Sequence, residues 1–481
     1  MRDNQPIPWT TQEVLDATGG DLLCGDLRRP FSRVSIDSRE ISPRDFFFAI
    51  CGESHDGHGF AGSVIDQGVR GLVINRQKAE HLPLTAWEAK NVTCIAVADT
   101  TRALGALATF NRRRAKVSVV AITGSNGKTT TRKLTAAVVA RQFNTLATAG
   151  NFNNQIGLPL TLLGLSPHHQ WAVVELGTNN PGEIARLTEI CSPDIGVITN
   201  IGPAHLEGLG SLDGVMREKG DLIKGLGPNG KAVLNADDSR ALQLARQTRH
   251  TVLLYGQSKE ATIRAEEIKE DAQTISFLLI FGRESIAVQL NSPGRYMISN
   301  ALAAAAVGYL LGIPAAMVKS GLESFKPVAG RMNICLLPNG VNMIDDTYNA
   351  NPESMAAALA TLQQMRTGGR GIFVAGDMLE LGAQAPELHR QVGAMAVRTE
   401  VDRLYACGEH AALVMAGAHK EGMPAAETIT GSRQEIIEDL KGWLQPGDWV
   451  LVKGSRGMAM EKVVQGLKEW ANESQGQKLR R

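Results

Sequence analysis

The most chemically loaded stretch of this chain is a lysine preceded by two spaced glycines and followed by three threonines. It reads Gly124-Ser125-Asn126-Gly127-Lys128-Thr129-Thr130-Thr131, between an apolar run, Val117–Ile122, and a helical segment, Thr129–Arg141. Glycines let successive backbone N–H groups turn toward one point, and a helix N-terminus adds partial positive charge there. Such a loop is an anion site shaped for a triphosphate. Lys128 would reach the β- and γ-phosphates, and the Thr129 hydroxyl would ligate Mg²⁺. The spacing is G-x-x-G-K-T, because Ile122 stands where the commoner phosphate loop has its first glycine. A plain strand-to-helix turn would not require strand, glycines, Lys-Thr and helix in that order.

The elements that position this loop follow a regular alternation. Short β-branched runs (Trp171–Glu175, Ile195–Thr199, Ala232–Asn235, Val252–Tyr255) are interleaved with helical segments, the signature of a mostly parallel sheet with helices on both faces. A second series begins near Arg331, with strands at Val341–Ile344, Gly371–Ala375, Arg403–Cys407 and Trp449–Val452. Before residue 98 the elements are shorter (Val34–Ile36, Phe46–Ala49, Gly71–Ile74, Cys94–Val97). With hinges near Asp99 and at Pro327–Gly330, the pattern predicts three α/β domains over residues 1–98, 99–328 and 329–481.

Composition agrees with that division. A length of 481 residues exceeds what one core holds, and 50 Lys+Arg against 49 Asp+Glu remove the usual argument for a nucleic-acid or anionic-membrane partner. Six scattered cysteines without a C-x-x-C pair argue against a disulfide framework or structural zinc and fit a reducing cytoplasm. Met1–Gly20 lacks a signal peptide's apolar run. Ala301–Val318 carries no charge and is long enough to span a bilayer, but Pro314 interrupts it. It reads instead as a buried Ala-rich helix, a Gly312–Pro314 break and a second helix.

The guanine-reading N-K-x-D motif is absent, and no dinucleotide G-x-G-x-x-G follows the strand Val117–Ile122. That leaves ATP-driven ligation, small-molecule phosphorylation or an ATPase motor. Five stretches narrow the choice: Thr123–Thr130, Gly150–Pro159, Glu175-Leu-Gly177, Asn200–His205 and Asp345–Met355. Together they make the chain resemble the Mur ligases of bacterial cell-wall synthesis over nearly its whole length. The resemblance implies a small mixed α/β N-terminal domain for a UDP-sugar substrate. It further implies a central P-loop ATPase domain and a C-terminal Rossmann-like domain that receives the incoming amine.

In that family ATP phosphorylates a substrate carboxylate, and an amine attacks the resulting acyl phosphate. The resemblance implies two Mg²⁺ ions, with Thr129 and Glu175 at one and His205 at the other. Lys219 matches the lysine that CO₂ carbamylates, a change from cation to anionic oxygen donor. Asn300, Arg331 and Asp346 match positions that contact ATP, Asp346 toward the ribose and Arg331 toward the γ-phosphate on domain closure. Asn153 and Asn154 would place the sugar-nucleotide, although Asn-rich turns arise without any such role.

The run Ser35–Arg39 resembles the family's uridine-nucleotide module, implying that Ser38 and Arg39 contact the substrate. Phe46–Phe48 reads as strand core, and His55 and His58 as loop histidines near substrate. In the third domain Asn349 and Asn351 are further substrate candidates, and Lys453, Ser455 and Arg456 offer a carboxylate site. No D-N-P-R occurs, while Tyr348-Asn-Ala-Asn-Pro and Gly376–Gly382 are present. This favours the family branch whose substrates are UDP-N-acetylmuramoyl-tripeptide, D-alanyl-D-alanine and ATP, acting as a cytoplasmic monomer. The competing readings are another Mur ligase, folylpolyglutamate synthetase, a P-loop kinase or a nucleotide-gated binding module.

Overall fold

The computed structural model describes residues 5–52, 55–271, 274–366 and 368–478. Of the opening segment, residues 1–4 lie outside that range. Three sheets organise the chain, alongside a small antiparallel pair, Trp9–Thr10 with Pro30–Phe31.

The first sheet runs in the order Asp21–Cys24, Thr93–Val97, Gly71–Asn75, Asp45–Phe48, Arg33–Ser35, parallel except for its first pair. Asp45–Phe48 is buried throughout, so Phe46–Phe48 is core, as the sequence implied. The second sheet has nine strands. Its parallel part runs Thr145–Ala147, Trp171–Glu175, Ser118–Thr123, Ile195–Ile198, Lys231–Asn235, Thr251–Gly256, Ile263–Glu270. Ile275–Phe281 and Glu284–Leu290 extend it as an antiparallel meander. The third sheet orders Asn333–Leu336, Asn342–Asp346, Trp449–Lys453, Gly371–Gly376, Arg403–Cys407 and Thr428–Thr430.

Ser118–Thr123 lies between strands reached by connections on opposite sides, and ligands of open α/β sheets bind in the crevice at such a reversal. The phosphate loop leaves the sheet at that point. The uncharged run resolves into a helix, Tyr296–Leu310, a left-handed Gly312 (φ +66°) and a second helix, Ala315–Glu323. Ala301 through Val307 are buried completely, in the apolar cluster that includes Leu134 and Val138 of the helix Lys128–Val139. Small side chains let the two helices approach closely. Among the described residues no helix is long and apolar enough to cross a membrane.

Candidate active site

The phosphate loop is fixed from below by its own sheet. Ser125 N–H donates to the Asn200 carbonyl (3.0 Å), and Asn126 N–H donates to Asn200 Oδ1 (2.8 Å). Ser125 Oγ donates to the Gly202 carbonyl (2.8 Å) and accepts from the Gly202 N–H (2.9 Å). Gly127 has φ +78°, and a Cβ there would fall 2.3 Å from Asn300 Oδ1. Asn300 thus sits against the loop, with its Oδ1 accepting from Thr131 Oγ1 (3.1 Å). No side chain caps the helix Lys128–Val139, so its first N–H groups remain for an anion. Lys128 Nζ folds back on the Gly124 carbonyl (2.7 Å) and the Ser125 carbonyl (3.3 Å). Desolvation holds its pKa below the ordinary lysine value, against the opposing pull of Glu175.

Glu175, buried at the end of its strand, joins three segments. Its Oε1 accepts from Thr129 Oγ1 (3.2 Å) and Asn153 Nδ2 (3.0 Å), and its Oε2 from Arg132 Nε (3.3 Å). Arg132 also donates to the Thr148 and Gly150 carbonyls, tying the Asn-rich loop to the phosphate helix. Arg132 was not among the sequence candidates. Its place one turn after Thr129, an arginine on the face of an otherwise buried helix, was the available signal. Asn154 Oδ1 accepts from the Ile156 and Gly157 N–H groups at the start of the helix Gly157–Leu163, an ordinary asparagine turn.

Lys219 is fully buried on the helix Leu212–Lys224, and its Nζ has no hydrogen-bond partner. Burial, then repulsion from Lys128, pushes its pKa well below the ordinary lysine value, which disfavours the charged ammonium. The neighbouring Glu218 accepts from Gly182 N–H (2.7 Å), Ile184 N–H (2.7 Å) and Thr178 Oγ1 (3.1 Å), fixing the helix Glu183–Cys191 against it. His205 occupies left-handed space (φ +55°), and its Nδ1 lies 2.5 Å from Glu380 Oε2 of the third sheet's unit. Among the described residues no cluster of three or more His, Cys, Asp or Glu side chains is assembled for a metal.

The third unit closes the other wall. Arg331 lies over the Tyr348 ring, 4.0 Å from its centre, with a buried Nε that has no partner. Asp346 Oδ1 accepts from Met332 N–H (3.0 Å), and its Oδ2 from Lys453 Nζ (2.5 Å). Lys453 also donates to the Asn349 carbonyl (2.9 Å). The expectation that Lys453 forms part of a free basic turn for a carboxylate is therefore corrected. Its ammonium is buried and already neutralised, Ser455 is buried, and only Arg456 is exposed, beside Glu461. Asn349 Oδ1 accepts from the Ala350 N–H, and Asn351 caps the helix Pro352–Met365.

These residues line one cleft of 730 Å³, which takes in Ser125 to Thr130, Asn153, Asn154, Glu175, His205, Asn300, Arg331, Asp346, Asn349 and Asn351. Lys219 is not among the residues lining it. Ser38 and Arg39 are outside it, with the exposed Arg39 chelating Asp37 (2.6 Å and 2.9 Å). His58 is also corrected: it is buried, its Nδ1 faces Asp56, and its Nε2 accepts from the Asn75 N–H (2.8 Å). That is a structural histidine; His55 is exposed.

Three models of one family match this chain. The Mur ligase family catalytic domain matches residues 30–112, the Mur ligase middle domain 122–308, and the Mur ligase glutamate ligase domain 330–456. UDP-N-acetylmuramoyl-tripeptide–D-alanyl-D-alanine ligase of Escherichia coli strain K12 is 37% identical over 467 residues, covering 96% of this chain and 99% of its own. The crystal structure of MurF from Acinetobacter baumannii superposes with a TM-score of 0.87 at 32% identity, covering 97% of this chain and 100% of that one. MurF ligase from Thermotoga maritima in complex with ADP gives a TM-score of 0.80 at 26% identity, covering 92% and 98%.

Proposed function

The chain belongs to the Mur ligase family, and on that premise we propose that it is an ATP-driven amide ligase joining D-alanyl-D-alanine to UDP-N-acetylmuramoyl-tripeptide. It serves peptidoglycan precursor synthesis in the cytoplasm and acts as a monomer. Residues 1–98 take the UDP-sugar end of the substrate, 99–328 take ATP, and 329–481 present the incoming amine. The observation that carries this reading is the single cleft in which the phosphate loop, the Asn-rich loop and the Asp346–Ser354 segment face one another. A kinase needs the first of these walls; a ligase needs all three.

A carboxylate is a poor acyl donor because oxide leaves badly. Attack of the tripeptide's terminal carboxylate oxygen on the γ-phosphorus of ATP releases ADP and forms an acyl phosphate. The dipeptide amine then attacks the acyl carbon, loses a proton and expels phosphate. Both transition states concentrate negative charge, so fixed cations supply most of the stabilisation. Lys128 leaves the two loop carbonyls for the β- and γ-phosphates, and Arg331 brings a guanidinium from the hinge. The Tyr348 face holds that guanidinium without neutralising it. A closed third unit excludes water that would hydrolyse the acyl phosphate.

The residues present suit Mg²⁺, which favours one or two protein oxygens together with substrate phosphates over an all-protein cage. Thr129 and Glu175 would hold one ion; His205 and a carbamate on Lys219 would hold the second, and the ions would neutralise phosphate charge. The orphaned amine of Lys219, its pKa lowered by burial, supports the modification. An unprotonated amine adds to CO₂ and releases one proton, which turns a buried group without a partner into an oxygen donor.

The test is phosphate release from ATP in the presence of UDP-tripeptide, with and without D-alanyl-D-alanine. The expected result is sustained release only with the dipeptide, in step with amide-linked pentapeptide seen by mass spectrometry. Release that ignores the dipeptide, or a stable phosphorylated product, would favour a kinase.

A further inference from the structure

Resting on the ligase reading, we propose that Asn351 and Glu353 are positioning residues that fasten the third unit to the tip of the phosphate loop through the side chain of Asn126. The Asn126 amide is held at both ends. Asn351 Nδ2 donates to Asn126 Oδ1 (2.8 Å), and Asn126 Nδ2 donates to Glu353 Oε2 (3.0 Å). The partners lie 225 and 227 residues apart, so both bonds exist only while the two units are docked.

Each end of the contact is anchored in its own unit. The Asn126 backbone is pinned by Asn200 Oδ1 at its N–H (2.8 Å) and by Thr199 Oγ1 at its carbonyl (2.6 Å). Its side chain is left to face the third unit. Asn351 uses its remaining oxygen to accept from Ser354 N–H (2.9 Å), the cap of the helix Pro352–Met365. The whole helix is thereby referred to the loop tip. Gly202 makes room: a Cβ there would fall 1.9 Å from Glu353 Oε2. Any side chain at 202 would evict the carboxylate, and Gly202 is itself bonded to Ser125 of the same loop.

Glu353 keeps an exposed edge, yet partial desolvation, followed by the charge of Asp238, pushes its carboxyl above the ordinary value. The bond from Asn126 Nδ2 needs an acceptor oxygen at this position, which a carboxylate or an amide supplies. Units joined by small polar interfaces move by default, so a few such bonds weigh on the docking equilibrium. The loop that grips phosphate also grips the third unit, which makes loop shape and closure a single equilibrium. The second bridge, from His205 and the Glu207 N–H to Glu380, is separate and stays intact in the variants below.

Three variants of the full-length enzyme test this. Asn351→Asp keeps the helix cap but cannot donate to Asn126; Glu353→Ala removes the acceptor; Glu353→Gln retains it. Asn351→Asp and Glu353→Ala are each expected to lower kcat by about threefold to tenfold, with KM for the UDP-tripeptide unchanged. Without nucleotide they should also speed amide hydrogen exchange in the phosphate loop and at the start of the helix Pro352–Met365. Glu353→Gln should stay within about twofold of the native enzyme on both readouts. Unchanged exchange and kcat in the first two, or Glu353→Gln failing as badly as Glu353→Ala, would overturn the proposal. The exchange arm uses no substrate. A native chain that makes no amide would defeat the ligase reading and leave the exchange result to decide this one.

Discussion

Replacing Lys128 with alanine is expected to lower the ligation rate by about 10²–10³-fold, with the melting temperature close to the native value. The ammonium is the only one hydrogen-bonded to the phosphate-loop carbonyls among the described residues. Desolvation there strengthens its pull on an arriving phosphate. The native fold does not depend on it, because strand Ser118–Thr123, Asn200 and Ser125 hold the loop without the lysine. Alanine also suits the first turn of a helix. Arginine at this position should not rescue, since a planar fork cannot enter the space of a compact point charge. The check is steady-state phosphate release beside thermal melting, with KM for the UDP-tripeptide unchanged. A Lys128→Ala enzyme within about tenfold of native activity would remove the phosphate loop from the chemistry.

Lys219→Met separates activity from stability in opposite directions. Activity should fall by about 10²–10³-fold, because methionine cannot become a carbamate. Stability in CO₂-free buffer should rise. In the folded state the Lys219 pKa is well below the ordinary 10.5, so between those limits the unfolded chain binds one more proton than the folded chain. Stability then climbs with pH through that window, by about 1.4 kcal/mol per unit. Stated the other way, the native amine destabilises the fold more as pH falls from 10.5 toward its lowered value. Methionine abolishes that slope, so the gap between variant and native chain widens as pH is lowered from 10.5 toward the native lysine's lowered value. Denaturant melts across this range measure it. Parallel stability curves for the two proteins would mean that Lys219 is solvated and charged, and its proposed modification would lose its support.

The fold was legible where one periodicity dominates. Buried parallel strands such as Ile195–Ile198 and Gly371–Gly376 are short apolar runs bounded by turn residues. The Ala-rich helix was readable because Gly312 and Pro314 mark its end. The strands Ile263–Glu270, Ile275–Phe281 and Glu284–Leu290 were not read. Ile275–Phe281 is almost continuously apolar, and its buried and half-buried positions alternate only once the neighbouring strands are in place. The Gly282 turn (φ +67°) was the local clue to its hairpin.

In the site, residues set by local chemistry could be found from the segment itself, whereas Glu175, Asn300 and Asp346, set by long-range contact, came only from the family resemblance. Gly127, Lys128 and Thr129 follow from loop, charge and helix start within one short segment. Arg132, Glu353 and Glu380 have meaning only through partners from 16 to 227 residues away, which no spacing rule reveals. Lys453 shows the converse. As a lysine at a strand end it looked free, and only the parallel register that sets it beside Asp346 exposes it as half of a buried ion pair.

The central claim, ligation through an acyl phosphate, is tested most directly by following one oxygen. UDP-tripeptide carrying heavy oxygen in its terminal carboxylate is turned over with ATP and D-alanyl-D-alanine, and the released phosphate is analysed by mass. Each phosphate released should carry one labelled oxygen, because the carboxylate oxygen that attacks the γ-phosphorus leaves with it. Unlabelled phosphate accompanying amide product would contradict it.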